Sequence, residues 1–554
     1  MTPPCTARKQ KAVFVFFNAV HPEGLEPPTT VPKTAVISIS PRVRKLMHYH
    51  TGNSPRRNEC TTIRSMIEKL DIPKEVHAVS DTLTKAGFES YLVGGCVRDL
   101  LRSKEPKDWD LTTNALPEKI QELFEDSFYE NDFGTVGVKT ESEDKRLKII
   151  EVTPYRLEGE YSDARRPDEI TFAKTLEEDL ERRDFTINAI AYSIEKDVCI
   201  DPHGGQRDIE RKIITTVGVP HDRFAEDALR MLRGIRLSAE LDFAIEAETA
   251  AGIAKNAELL EKISTERIRD EFIRILESDT PMQALFIAQK LGLLKYITPE
   301  LEEGIGCDQN QAHSFDVFEH LLRTLQHSAD EKWPLEVRTA ALFHDVAKPA
   351  TRRFSKEKND YTFHGHEVVG ARMTKAIMKR LHFSREMIES VTRLVRWHMF
   401  FSDPDQITLS AVRRTIRNVE KDNIWDLLNL RVCDRIGSGR PKAQPFRLRK
   451  YISMVEEALR DPISVSQLAI DGSDIMKETG ESPGPRLGWV LHALLEKVLD
   501  DPSLNTKEAL FIETKALLAL PQEELRKLGE AGKDRREKED DAAIEELRKK
   551  YHVS

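Results

Sequence analysis

The sequence predicts a multidomain α+β protein, and three observations carry that prediction. At about 150 residues per domain, 554 residues suggest three or four domains with ample material for buried cores. Short β-prone runs occur at 90–93, 107–111 and 148–152, in the first third of the chain. From residue 223 onward the apolar spacing reads as helix. With 39% hydrophobic and 32% charged residues, the bulk of the chain is globular. The 84 Lys+Arg against 94 Asp+Glu leave a net charge of -10, which argues against indiscriminate polyanion binding through overall charge. No apolar run approaches the roughly 20 residues of a membrane helix, and the run 12–17 lacks a small-residue cleavage site after it. Neither a membrane nor secretion is therefore expected. Six cysteines lie far apart without a CxxC pair, so a reducing cytoplasm is the expected location.

Taken in order, residues 74–87 read as an amphipathic helix and 90–93 as a strand ending in Gly94-Gly95. Residues 96–101 are helical in character, Glu105-Pro106 is a turn, and 107–111 (KDWDL) is a second strand. Strand, glycine pair, helix, strand is an arrangement that can bring backbone N–H groups to a phosphate. On a strand, Asp108 and Asp110 project from one face and can converge on a divalent cation. A solvated acidic turn is the competing reading. In 148–152 (KIIEV) a single carboxylate, Glu151, stands in an apolar strand and needs a partner, which makes it a candidate third metal ligand. Further on, 181–189 opens an apolar run, and 223–236 reads as one helix on which Asp227, Arg230 and Arg233 share a face. Standing alone, that stripe would be a solvated face with intrahelical pairs.

Together GGCVRD, KDWDLTT, IEVTPYR, RRPDEITF, EEDLERRDFTINAIA and RFAEDALRMLRGIR resemble the class II tRNA nucleotidyltransferases (CCA-adding enzymes) and their bacterial poly(A) polymerase relatives. The resemblance runs from about residue 74 into the 280s. It implies a small mixed-sheet nucleotidyltransferase head followed by an all-helical neck, body and tail. It also implies that Asp108 and Asp110, aided by Glu151, hold Mg2+, and that Gly94, Gly95, Arg98 and Arg183 meet the nucleotide triphosphate. Asn188 would orient the sugar or its loop, Asp227 and Arg230 would read the base, and Arg233 and Arg236 would support that helix and the phosphates. A carboxylate accepts from the amino group of C or A while a guanidinium donates to a ring acceptor, so one pocket can select CTP and ATP and reject G and U. The expected reaction is template-free addition of CMP and AMP to a tRNA 3' end. A poly(A) polymerase and a CC- or A-adding enzyme stay open.

A second set of motifs follows: FEH at 318–320, AALFHDVAK at 340–348, FHGHE at 363–367, RWH at 396–398 and VCDR at 432–435. A single buried histidine is more often a satisfied core residue, but a His-Asp pair within an apolar helix is hard to leave unpaired. The spacing resembles the HD metal-dependent phosphohydrolase domain. By that resemblance His320, His344, Asp345 and Asp434 are the principal ligands of a divalent transition metal, and His366 and His398 could serve a second metal. His364 competes with His366 on sequence alone. The HD body could thus be the main activity, or a helical body kept for packing and RNA contact.

The expected organisation is a leader over 1–60, head 61–215, neck 216–285 with the base-readout helix, HD body 286–460, tail 461–521 and a charged C-terminal helix 522–554. The leader shows no sustained periodicity, and HPEGLEPPTTVPKTAVISISPRVR resembles the peptide read when a frame runs through a transfer-RNA gene, making Met47 or Met66 an alternative start. Its nine Lys/Arg and three Asp/Glu give +6, leaving -16 for 61–554. Between 435 and 450 six basic residues occur with no acid, a patch suited to an RNA backbone or an ordinary basic loop.

Overall fold

The computed structural model describes residues 70–129, 134–157, 171–309, 314–400, 407–461 and 464–530. The leader, with Met47 and Met66, lies outside the described residues, as does most of the expected C-terminal helix. The chain is a mixed sheet in a head followed by helices.

Helix α1 (Lys74–Lys85) packs Val76, Val79 and Leu83 inward, a spacing of three and four that puts them on one face. The head sheet runs in the order β3 (Ser127–Tyr129), β4 (Val136–Lys139), β5 (Ile149–Pro154), β2 (Asp110–Thr113), β1 (Tyr91–Val93), then strands Ala191–Ser193 and Val198–Ile200. All neighbours are antiparallel except β2 and β5, which are parallel and set Asp110 opposite Glu151. The sheet is therefore mixed, with Leu92, Leu111, Ile150 and Val152 in its core.

Two details differ from the sequence reading. Strand β2 begins at Asp110, so Asp108 sits in the exposed bend before it rather than within the strand. The segment 223–236 is two helices, Pro220–Glu226 and Leu229–Leu241, broken at Asp227 (φ -139°, ψ 104°). Asp227 Oδ1 accepts from the backbone N–H of Leu229 at 3.0 Å. A short carboxylate that bonds its own backbone two residues on competes with helix continuation, and here it wins. In the tail, Asp471 is the N-cap of helix Gly472–Thr479, in a reciprocal capping box with Asp474.

The neck joins the body through Arg338, whose Nη1 donates to the carbonyls of Leu276 (2.9 Å) and Ser278 (3.0 Å). In the body, helices Val317–Asp330, Leu335–Phe343, His366–Arg380, Arg385–Trp397 and Ile424–Gly437 pack around one apolar core. A two-stranded hairpin, Arg353–Ser355 and Asp360–Thr362, connects helix Lys348–Thr351 to helix His366–Arg380. No described helix is long and apolar enough to cross a membrane.

Candidate active site and metal centre

Between head and neck lies an open cleft of about 880 Å³. Its walls include Gly95, Arg98, Asp108, Asp110, Asn188, Arg233 and Arg236, seven of the residues expected from sequence. They arrive there by different routes. Gly94 ends β1 with φ 80° and ψ -133°, backbone that side chains rarely adopt. A Cβ there would stand 3.3 Å from Arg183 Nη1 and 3.8 Å from Asp110 Oδ2, so glycine lets a guanidinium and a carboxylate close on the same turn. Below them the Cys96 thiol packs in the core, pushed up to about 12 by burial and by Asp110, and stays neutral.

One wall is a chain of alternating charges. Arg98 forks onto Asp99 through Nε and Nη2, both at 2.9 Å, and its Nη1 donates to Asn188 Oδ1 at 2.8 Å. Asn188 Nδ2 donates to Asp184 Oδ1 at 3.3 Å, and Asp184 Oδ2 accepts from Arg233 Nε at 2.8 Å. Arg236 Nε in turn donates to Glu271 Oε2 at 2.7 Å. Burial pushes the Asp184 carboxyl up, but Arg233 outweighs it and holds it well below the carboxylate range. The network presets the Arg98 and Asn188 rotamers before any ligand arrives.

A second buried acid anchors the other arginine. Asp179, without solvent exposure, accepts from Arg182 at 2.6 Å and from Arg183 at 2.9 Å. Burial raises its carboxyl, yet Arg183 and Arg182 hold it at about 2. Asp179, Asp184, Asp99 and Glu271 were not singled out from sequence. An acid leading straight into the apolar run that begins at Phe185 was the available signal at Asp184, because burial there demands a partner. The cleft also gathers Arg102, Lys104 and Lys107 with Arg274, which comes from helix Thr265–Glu277 and which no local pattern joins to them.

Glu151 stands beside Asp110 in register on adjacent strands, as carboxylates sharing a cation would. Asp227 and Arg230 do not line the cleft. Asp227 Oδ2 accepts from Arg267 at 2.8 Å. Arg230 is buried, donating to the carbonyls of Arg223 (3.2 Å) and Arg182 (3.0 Å) and to Glu226 at 2.6 Å.

The body holds two compact ligand sets: His320, His344, Asp345 and Asp434, and Asp345, His366 and His398. Asp345 belongs to both, with Oδ2 3.2 Å from the Nε2 atoms of His320 and His344, and Oδ1 3.1 Å from His366 Nε2 and 3.6 Å from His398 Nε2. His344, His366 and His398 each place Nδ1 on the carbonyl three residues earlier, at 3.0, 2.6 and 2.7 Å. That bond assigns the N–H to Nδ1 and leaves a lone pair on Nε2. Nε2 of His366 and of His398, 3.3 Å apart, and the buried Asp345 Oδ1 then face one another as acceptors with no hydrogen-bond donor on the carboxylate oxygen. A cation resolves that arrangement, and an N/O set of this kind suits a divalent transition metal. Protonation does so poorly, since burial drives the His398 imidazole down to about 4. His364 is exposed, outside the set. Lys348, missed in the sequence although it closes AALFHDVAK, donates to Asp345 Oδ2 and to Gln309 Oε1, both at 2.6 Å.

A mixed-sheet head whose carboxylates and arginines face a cleft, mounted on a helical neck and a histidine-rich body, defines a nucleotidyltransferase joined to an HD domain. Three family models match in that order: the poly A polymerase head domain over 90–215, a probable RNA and SrmB-binding site of polymerase A over 242–305, and an HD domain over 317–428. The chain belongs to the CCA-adding enzyme family. It is 44% identical to the CCA-adding enzyme of Geobacillus kaustophilus over 431 residues, 77% of this chain and 93% of the relative. It is 33% identical to that of Lactobacillus helveticus over 449 residues, 80% and 97% of the two chains. In fold it is similar to the Bacillus stearothermophilus CCA-adding enzyme in complex with CTP, at TM-score 0.59 and 24% identity, covering 80% of this chain and 98% of that one. The Thermotoga maritima CCA-adding enzyme complexed with tRNA-CCA matches at TM-score 0.50 and 20% identity, covering 81% and 97%.

Proposed function

We propose that this protein adds CMP and AMP from CTP and ATP to the 3' end of tRNA in the cytoplasm, releasing pyrophosphate. The observation that carries this reading is the pairing of Asp110 with Glu151 across β2 and β5, at the cleft that Arg98, Asn188 and Arg233 wall. Asp108, Asp110 and Glu151 would hold Mg2+, a hard cation that prefers such oxygens and, when bound, stabilises charge on the α-phosphate and the departing pyrophosphate. Everything else is positioning and electrostatics supplied by the chain. Gly94 and Gly95 let the triphosphate approach the backbone, while Arg98 and Arg183, each braced by an acid, present guanidinium donors to it. Asn188 orients the sugar side. Arg236 supports the neck helix through Glu271, and Arg233 does the same through Asp184. Base choice falls to Asp227 and Arg230, with Asp227 exchanging Arg267 for the amino group of C or A. The corresponding domains are head 61–215, neck 216–285, body 286–460 and tail 461–521.

The test is incubation of the purified protein with tRNAs ending before CCA, after C and after CC, with labelled CTP and ATP separately and together. Stepwise completion to CCA is expected, and Asp108→Ala abolishes it. Long A tracts would instead indicate a poly(A) polymerase, and a CC- or A-only product a partial enzyme. The shared carboxylate of Asp345 supports a second reading beside this one, in which His320, His344, Asp345 and Asp434 hold one divalent metal and His366 and His398 a second, for hydrolysis of phosphate esters.

A further inference from the structure

The hairpin Arg353–Ser355/Asp360–Thr362 has no part in the nucleotidyl-transfer site, yet it is built unlike an idle loop. Phe354 and Tyr361 stand directly opposite each other across the two strands, their rings edge-to-face at 5.5 Å and 77°. The guanidinium of Arg352 covers Tyr361 at 3.7 Å from the ring centroid. This three-layer ladder leaves Phe354 56% exposed. A two-stranded hairpin is marginal by itself; the Phe354–Tyr361 pair helps to hold it, yet leaves most of the Phe354 ring open to solvent. Around the aromatics are Arg352, Arg353, Lys356 and Lys358 against Glu357 and Asp360, a local excess of positive charge in a chain whose net charge is -10.

Both roots of the hairpin abut the histidine centre. On one side Lys348, four residues before Arg352, donates to Asp345. On the other, Phe363 lies under the Lys348 ammonium at 5.5 Å and its carbonyl receives the His366 Nδ1–H. A second basic bank, Arg435, Arg440 and Lys442, follows Asp434, and its Gly439 rests on Ser314 and Phe315, just before the helix that carries His320. Cations therefore flank the centre on two sides, with a stacking platform on one.

We propose that this hairpin is a contact for single-stranded RNA, with a base on Phe354 and phosphates on Arg353, Lys356 and Lys358, leading the strand to the histidine–aspartate centre. Aromatic faces accept any base, and the basic side chains follow the backbone, which is the chemistry of sequence-tolerant strand binding. The proposal rests on the reading of this protein as an enzyme of RNA.

The test uses the full-length protein and an eight-nucleotide RNA carrying 4-thiouridine, photo-crosslinked and mapped by peptide mass spectrometry. A crosslink within 352–361 is expected. Phe354→Ala should remove it and weaken binding about tenfold or more. The triple variant Arg353→Gln/Lys356→Gln/Lys358→Gln should lower the slope of log K against log salt by about 2, at about 0.7 per phosphate contact. Far-UV circular dichroism and unchanged CMP addition to tRNA certify that the variants fold. Crosslinks confined to head and neck, with the affinity and salt slope of the wild type, would overturn the proposal. Nucleotide addition by the unaltered protein is scored separately: addition without a hairpin crosslink overturns the hairpin alone, whereas absence of addition overturns the functional reading.

Discussion

Asp227 does two jobs that a substitution can separate. Its Oδ1 caps the helix Leu229–Leu241 at the Leu229 N–H, and its Oδ2 pairs with Arg267. Asn retains an oxygen for the cap but turns an N–H2 toward the position proposed for the base amino group. Asp227→Asn should therefore fold like the wild type and lose discrimination by at least tenfold, incorporating UMP or GMP where the wild type does not. Single-turnover incorporation of each of the four nucleotides measures this, and an unchanged CTP/ATP preference would remove Asp227 from base readout. Asp345 supports a sharper residue-scale test, because its two oxygens face different ligand sets. Asp345→Ala should cost the protein two metal ions per chain and His366→Ala only one, by elemental analysis after dialysis. Equal losses would show that the carboxylate does not bridge.

At the scale of elements, the turn from helix Leu176–Glu181 into the 182–188 segment is held by buried charge as well as by the buried Leu180, Phe185 and Ile187. Asp179 joins Arg182, Arg183 and, at 3.3 Å, the backbone N–H of Arg156. Its folded-state carboxyl, at about 2, lies below the ordinary value of 3.8, so ionised Asp179 favours the folded state. The contribution is about 2 kcal/mol, present in full above pH 5 and lost as pH falls through 4 toward 2. Asp179→Asn should reduce stability at pH 7 by about that amount and flatten the pH dependence between 5 and 2, read from urea midpoints at each pH. A parallel downward shift with the slope preserved would rule the pair out as the cause. This element also shows what the sequence could disclose. The resemblance carried by EEDLERRDF pointed to Arg183 for the triphosphate, while the short helix Leu176–Glu181 was not read. Asp179 with Arg182 and Arg183 is an i,i+3 and i,i+4 pairing, local in sequence, whereas Asp184 holding Arg233, 49 residues away, depends on how sheet and neck meet. The break at Asp227 was hidden for the opposite reason. The apolar spacing of 223–236 fits one helix well, and only a side-chain bond to Leu229 interrupts it. In the body the resemblance to the HD domain grouped His320, His344, Asp345 and Asp434 and set His366 and His398 apart, and the fold brings those side chains together; Lys348 and Gln309 were not singled out.

For the whole molecule, the head cleft and the histidine centre are linked through the junction of neck and body. Helix Thr265–Glu277 contributes Arg274 and Glu277 to the cleft wall, and helix Leu335–Phe343 leads directly into His344 and Asp345. Arg338 ties them together. Its buried guanidinium donates to the carbonyls of Leu276 and Ser278 from Nη1, and from Nε to Trp333 at 2.9 Å, closing three carbonyls at the end of the neck helix and the start of the body. Burial lowers its pKa, but a guanidinium stays charged at any working pH. Replacing it with Met keeps much of the apolar stem and leaves three acceptors without that donor. A buried acceptor deprived of its partner costs about 1–3 kcal/mol. Arg338→Met is therefore expected to destabilise by about 3 kcal/mol, because some of the three carbonyls will find water. It touches neither nucleotide nor metal ligand, so metal content should stay at the wild-type value. If the joint sets the neck's position, KM for tRNA should rise while the affinity for CTP, measured without tRNA, stays constant. Calorimetry, elemental analysis and steady-state kinetics on the one variant decide the matter. A wild-type melting profile together with wild-type KM would mean that the two halves are held by apolar packing alone, and that Arg338 merely fills space between them.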